Sequence, residues 1–440
     1  MWNDISEESM RKLERIAENE MLTQEEIREN LDVTEKGKIR QSIQNCKYAL
    51  EHDPYLQGAI CRNEMTCQID IMKKVPWKRR GVQMTDTDMN NLSLYLEKNY
   101  GLTSDRVIAK AVDIVANDNS FHPIIDLLES LIWDGTPRIR NMLTHFFGAS
   151  DPEYSGEIMK MHMLAAISRL YDPGKKYDIM LCLVGGQGTG KSTFFKYLAI
   201  RDEWFTDDVK RLDDKRVYEY LQGHWIVEMS EMNAVANARS IEETKSFLSR
   251  QKDTYRIPYE RRAEDRYRQC VFCGTSNDLA FLPFDRTGNR RFGPVRVCPE
   301  KAETTIYSNE KESREYILQA WAETMEIYRS GDFSLTFSPD MEDYVKALQK
   351  EFMPEDTQTG MIQAFLDRYE EVFHHEGMVP KWQSKEIGDL MDNEIIGWEK
   401  HGTHRFPGSL GTQRSWKRIH PKKDGDGFIN IDENTELPFE

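Results

Sequence analysis

The chain has 440 residues and a formal net charge of −16, from 59 Lys and Arg against 75 Asp and Glu. Its longest clear apolar run, Ile179–Val184, is far short of the roughly 20 residues of a membrane span, and the acidic, amphipathic start lacks the charged-then-apolar pattern of an export signal. A cytoplasmic protein of about three domains is therefore expected, its seven scattered cysteines suiting a reducing compartment rather than a disulfide framework.

Residues 4–19 and 24–31 have the pattern of polar helices, the first with Asp4 or Ser6 as its cap. Residues 66–72 alternate like a strand. MTDTDMNNLSLYLEKNYG reads as a cap followed by an amphipathic helix, and SDRVIAKAVDIVANDN as another. HPIIDLLESLIWDGTPRIRNMLTHFFG continues in helices, broken near Trp133–Pro137. Residues 1–150 are thus expected to form a mostly helical N-terminal region. After a helix over 157–171, short apolar strands alternate with helices. IMLCLV is a strand, followed by a glycine loop and helix KSTFFKYLAI. Helix DDKRVYEYLQ, strand HWIVEMS and helix SIEETKSFLSR come next, then strands RQCVFCGTS and FGPVRV. This alternation predicts an α/β sheet over 151–300. Helices at 312–330 and 339–352 make an extension over 301–355. Residues 356–422 combine helices with an aromatic-basic end, GTQRSWKRIHPKK, as in a small winged-helix-like domain, and 423–440 form an acidic tail.

Residues 185–192, GGQGTGKS, satisfy GxxxxGK[ST] between a predicted strand and a predicted helix. In such a loop (Gly185, Gly186, Gln187, Gly188, Thr189, Gly190, Lys191, Ser192, with Thr193 following) backbone N–H groups curl around phosphate oxygens at a helix N-terminus. Lys191 then reaches the β and γ phosphates of ATP, and Ser192 holds Mg²⁺. An ATPase also needs acids. GHWIVEMSEM supplies Glu228 and Glu231 in place of the usual two adjacent acids at a strand end. Glu231 is expected to orient water, with Glu228 or Ser230 near the metal and Glu228 the candidate acid ligand. CVFCGTSN is an apolar strand that ends in Asn277, where nucleotide-driven motors keep a polar group that positions the attacking water. DRTGNRRFGPV carries Arg290 and Arg291, whose guanidinium groups suit the charge on a phosphoryl group in transfer. In ring ATPases that arginine comes from the neighbouring subunit. Cys270 and Cys273 form a CxxC, but side chains three apart on a strand point to opposite faces, so structural thiols are expected rather than zinc ligands.

The ordered set WDGTPRI (133–139), GGQGTGKST, WIVEMSEM, KSFLSRQKDTYRIPYERR, GTSN and GNRRF resembles superfamily 3 helicases, the AAA+ ring motors of small viruses, phages and plasmids. More closely it is similar to the virulence-associated protein E family of phages and phage-related mobile islands. The close match covers about 120–300, and 360–420 resemble the family more weakly. The resemblance implies a P-loop AAA+ core with a parallel sheet. It also implies an ATP- and Mg²⁺-dependent DNA helicase or translocase, hexameric, with ATP at subunit interfaces. Its setting would be the replication of a mobile element in a bacterial cytoplasm, on single-stranded or forked DNA. Some relatives join this motor to a primase domain. Here Asp86-Thr87-Asp88 is the sole DxD pair in the N-terminal region and reads more simply as a helix cap, leaving a primase or host replication proteins as partners in trans.

In superfamily 3 motors, the stretch between the acidic strand and the Asn strand carries a hairpin that points into the ring channel. Lys245 through Arg268 occupies that place, with eight basic against four acidic residues and a net of +4 inside a chain of −16. Phosphates attract such a patch without regard to sequence, and tyrosines stack on unpaired bases. Lys252, Arg256, Tyr259, Arg261 and Arg262 are the candidate DNA contacts; the alternative is a solvated hairpin whose arginines pair with nearby acids. Two other functions stay open: an ATP-dependent origin-binding initiator that recruits a host helicase, and a regulatory ATPase that binds a host protein.

Overall fold

The computed structural model describes residues 22–209, 220–230, 244–255, 264–282, 289–353, 378–380, 388, 391, 398–406 and 411–418. The helix expected over 4–19, most of that over 213–222 and the acidic tail lie outside them. The chain divides into two compact units, Met1–Met353 and Pro354–Glu440.

The first unit begins with α1 (Gln24–Glu29) and α2 (Ile43–His52), then an antiparallel pair, β1 (Ile60–Asn63) and β2 (Gln68–Ile71), then α3 (Asp86–Tyr100) and α4 (Asp105–Asp118). Leu92, Leu96 and Tyr100 recur at helical spacing on one face of α3 and are fully buried. They join Leu50, Ile108 and Val112 in one hydrophobic cluster. Asp88 acts as the sequence pattern implies. It closes a capping box with Thr85 and also accepts hydrogen bonds from Trp77 and Arg79.

Packing changes after residue 118. α5 (Pro123–Glu129) and α6 (Met142–Phe147) precede residue 150, and α7 (Pro152–Tyr171) follows it. Their Leu128, Phe146, Ile158 and Ile167 belong to a second cluster, shared with a parallel sheet. That sheet is built from β3 (Met180–Val184), β4 (Phe205–Thr206) and β5 (Ile226–Met229), and continues beyond a separate hairpin, β6 (Lys252–Tyr255) with β7 (Glu264–Tyr267), into β8 (Val271–Ser276) and β9 (Phe292–Arg296). Its order is β4-β5-β8-β3-β9, with every neighbouring pair parallel. Both faces are covered, as near-continuous apolar strands require. Leu181 and Leu183 join the cluster of α7, α8 (Lys191–Leu198) and α9 (Glu310–Ser330), whereas Met180, Cys182 and Val184 join a third cluster with Phe247, Phe281 and Phe352, the last just beyond α10 (Pro339–Glu351). Cys273 lies in the one cluster and Cys270 in the other, so the CxxC thiols point apart and burial pushes both pKa values up. Gly293 lies where α7 crosses β9; a Cβ there would lie 2.0 Å from Ile158 Cδ1, so the fully buried Ile158 would have to move.

Two clamps hold the frame. Arg169, near the end of α7, is 1% exposed and pairs with no carboxylate among the described residues. It donates instead to the carbonyls of Lys175 (2.9 Å), Tyr177 (2.6 Å) and Cys270 (2.7 Å), tying the segment before β3 to the start of β8. WDGTPRI makes the second. Asp134 and Arg138 form a two-pronged pair at 2.7 and 2.6 Å, and Glu323 on α9 accepts the N–H groups of Arg138 and Ile139.

In the second unit, β10 (Met378–Pro380), β11 (Trp398–Phe406) and β12 (Gly411–Arg418) form an antiparallel sheet in the order β10-β12-β11.

Candidate functional site

In a parallel sheet, ligands meet the carboxyl ends of the strands. Here that edge gathers the glycine loop after β3, Ser230 after β5 and Asn277 after β8. Because β8 lies between β5 and β3, Asn277 stands between the acid strand and the loop. Lys191, 7% exposed, donates from Nζ to the carbonyls of Gly185 (2.8 Å) and Gly186 (2.7 Å) and to Asn277 Oδ1 (3.1 Å). Burial pulls its pKa down and the Glu228 charge pulls it back up. Gly190, at φ +87°, caps α8, and a Cβ there would stand 2.4 Å from Ile306 Cγ2. Both the left-handed backbone and the lack of space demand glycine.

Glu228 is fully buried. Its Oε1 accepts hydrogen bonds from Ser192 (2.7 Å), Thr275 (2.7 Å) and Ser230 (3.3 Å), while Oε2 is buried and accepts none among the described residues. An oxygen-only donor set with one unsatisfied carboxylate oxygen, beside the Ser192 hydroxyl of the glycine loop, fits a hard cation such as Mg²⁺. Of the two groups the sequence left near that position, Glu228 reaches Ser192 directly and Ser230 serves Glu228. Glu231 lies outside the described residues.

Burial raises the Glu228 pKa against the pull of Thr275, Ser192 and Ser230. The native protein then keeps a proton over a range in which the unfolded chain has released it. This group's contribution to stability is complete below the ordinary glutamate pKa of about 4.3 and is lost as pH rises through the raised value. Glu228→Gln removes that slope. The amide variant is expected to melt at or above the wild type near neutral pH without divalent cation, and to show no rise in melting temperature with MgCl₂, where a rise is expected for the wild type. Melts in acid and at neutral pH, with and without MgCl₂, check this; a Mg²⁺-induced rise that survives in the variant removes Glu228 from the metal.

Arg290 and Arg291 sit elsewhere. They precede β9, at the amino edge of the sheet, roughly 16 Å from the glycine-loop edge over five residues of strand. Arg291 is held by Asp178 (3.3 Å) and Ser249 (2.8 Å). The Arg290 side chain is 70% exposed, with Asp178 no nearer than 3.9 Å. Neither arginine is brought to the site of its own chain.

The basic segment does form a hairpin, with Lys252 opposite Tyr267 in the β6–β7 register. Lys252 pairs with Asp265. Arg268 and Lys245 are both 3% exposed, so two of the eight basic residues counted there belong to the interior. Arg268 makes a buried pair with Asp253 at 2.6 and 3.0 Å. Arg256, Tyr259, Arg261 and Arg262 lie outside the described residues.

Two residues of the site were not visible in advance. Thr275 had a faint signal, one of two hydroxyls at the end of an otherwise apolar strand. Tyr307 had none; it lies in an irregular turn and its hydroxyl is 3.0 Å from Thr193 Oγ1.

A sequence profile of the virulence-associated protein E-like domain matches residues 128–354. Comparison with curated proteins gives no match. Among solved structures, the apo structure of the NrS-1 C-terminal region is similar at 13% identity and a TM-score of 0.44, over 82% of this chain and 95% of that one. An A form of the same region gives 14% identity and 0.46, over 82% and 96%.

Proposed function

The chain belongs to the virulence-associated protein E-like family, and from that premise we propose that it is a P-loop, AAA+-type ATPase that drives a DNA helicase or translocase in the replication of a phage or related mobile element. The observation that carries this reading is the convergence at one sheet edge of Lys191 with Asn277 and of Ser192 with Glu228.

In this reading the loop's N–H groups and the N-terminus of α8 hold the β and γ phosphates, with Lys191 against the γ end. Ser192 and Glu228 hold Mg²⁺, which neutralises charge on the phosphate oxygens when bound. Asn277 and Glu231 orient the attacking water. Arg290 and Arg291, remote from their own loop, act on a neighbouring subunit's nucleotide in a homo-oligomer, a hexamer by analogy with superfamily 3 motors. The β6–β7 hairpin enters the channel with Lys252, Arg256, Tyr259, Arg261 and Arg262 toward single-stranded or forked DNA. The antiparallel sheet of the second unit supports the winged-helix-like reading of 356–422.

The test is Mg²⁺-dependent ATP hydrolysis with and without single-stranded DNA, joined to unwinding of a forked duplex. Stimulated hydrolysis with unwinding is expected. Hydrolysis that never opens a fork favours the initiator that recruits a host helicase. Hydrolysis with no DNA binding at low salt favours the regulatory ATPase.

A further inference from the structure

Resting on the nucleotide-site reading above, we propose that Tyr307 is the platform on which the base of the bound nucleotide stacks. The phosphate loop borders a cavity of about 230 Å³, and Tyr307 supplies its sole aromatic ring among the described residues. The loop has a direction. Lys191 Nζ leans to one side, onto Asn277, which marks the γ-phosphate end. Thr193 leans to the other, onto Tyr307. Thr193 is the third residue of α8, so its N–H is among the free donors of a helix start. A phosphate chain that runs from Asn277 along these donors delivers its sugar and base to the Tyr307 side.

Tyr307 is built to wait there. One edge of its ring packs over Gly190, where a Cβ would lie 3.2 Å from Cε2. Next to it Ile306 is fully buried, and Ser308 N–H closes the turn onto the Thr305 carbonyl at 3.0 Å. The residue is nevertheless 57% exposed. A large ring presented to solvent on a locked turn, beside a phosphate loop, offers a π surface to any base and most to a purine.

The experiment measures binding of Mg²⁺-ATP, Mg²⁺-ADP and Mg²⁺-tripolyphosphate to the full chain and to its Tyr307→Ala and Tyr307→Phe variants. Tyr307→Ala is expected to weaken ATP and ADP about tenfold and leave tripolyphosphate within about twofold, because only the base contact is lost. Tyr307→Phe keeps the ring and should stay within about twofold of the wild type for all three. Equal losses for ATP and tripolyphosphate would assign Tyr307 to the loop through Thr193 and overturn the proposal, as would an unchanged ATP affinity. A wild-type chain that binds no nucleotide at all rejects the nucleotide site itself, whereas nucleotide binding indifferent to Tyr307→Ala rejects only the platform.

Discussion

Lys191→Ala is expected to cut Mg²⁺-dependent ATP hydrolysis by about 10²–10³-fold while leaving the fold intact. The ammonium is almost buried, 7% exposed, and bridges the loop carbonyls of Gly185 and Gly186 to Asn277. In the proposed reading, its removal takes away a positive charge fixed where negative charge develops on the γ phosphate. It takes little from stability, because desolvation already opposes the charged form there. A melting temperature within about 3 °C of the wild type is expected. A phosphate-release assay checks the first part and a thermal melt the second. Retention of more than about a tenth of the hydrolysis would remove the loop as the phosphate site.

Arg290→Ala should cost as much or more, about 10³-fold, and in a different manner. The exposed guanidinium stands on the far edge of the sheet from its own loop. In a ring of head-to-tail contacts, each subunit shows one edge to one neighbour and the other edge to the next. An Arg290→Ala chain mixed with a Lys191→Ala chain therefore forms some interfaces in which both groups are present. Equimolar random mixing should return about a quarter of wild-type hydrolysis from two inactive proteins. A mixture that stays inactive places Arg290 outside the reaction. Arg291→Ala differs in its effect on stability. Arg291 is fastened to Asp178 and Ser249, so its loss should lower the melting temperature, which Arg290→Ala should not.

The glycine loop could be read from sequence because its chemistry is local: eight consecutive residues, a strand before and a helix after. The group near the metal position could be narrowed only to Glu228 or Ser230, since the choice depends on which side chain meets Ser192 across two strands. Tyr307 reaches the loop from more than a hundred residues away through an irregular turn that has no period. Charge counting failed on Arg268 and Lys245 for a physical reason. A buried arginine with a carboxylate partner looks, in a string of letters, the same as one that faces water. Arg169 is the extreme case, a fully enclosed cation satisfied by three carbonyls, which nothing in SRLYDPGKKYD foretells. Apolar spacing announced helices over 123–147 but not which cluster they would enter.

Arg169 has a mechanical consequence. One guanidinium grips the run-up to β3 and the foot of β8, and Gly174 N–H reaches from the same run-up to the carbonyl of Arg268, just past β7. The three meet at the amino edge of the sheet, while the carboxyl ends of β3 and β8 hold the glycine loop and Asn277. β3 and β8 therefore join this common bearing at one end to the glycine loop and Asn277 at the other, and the hairpin is rooted on the same bearing.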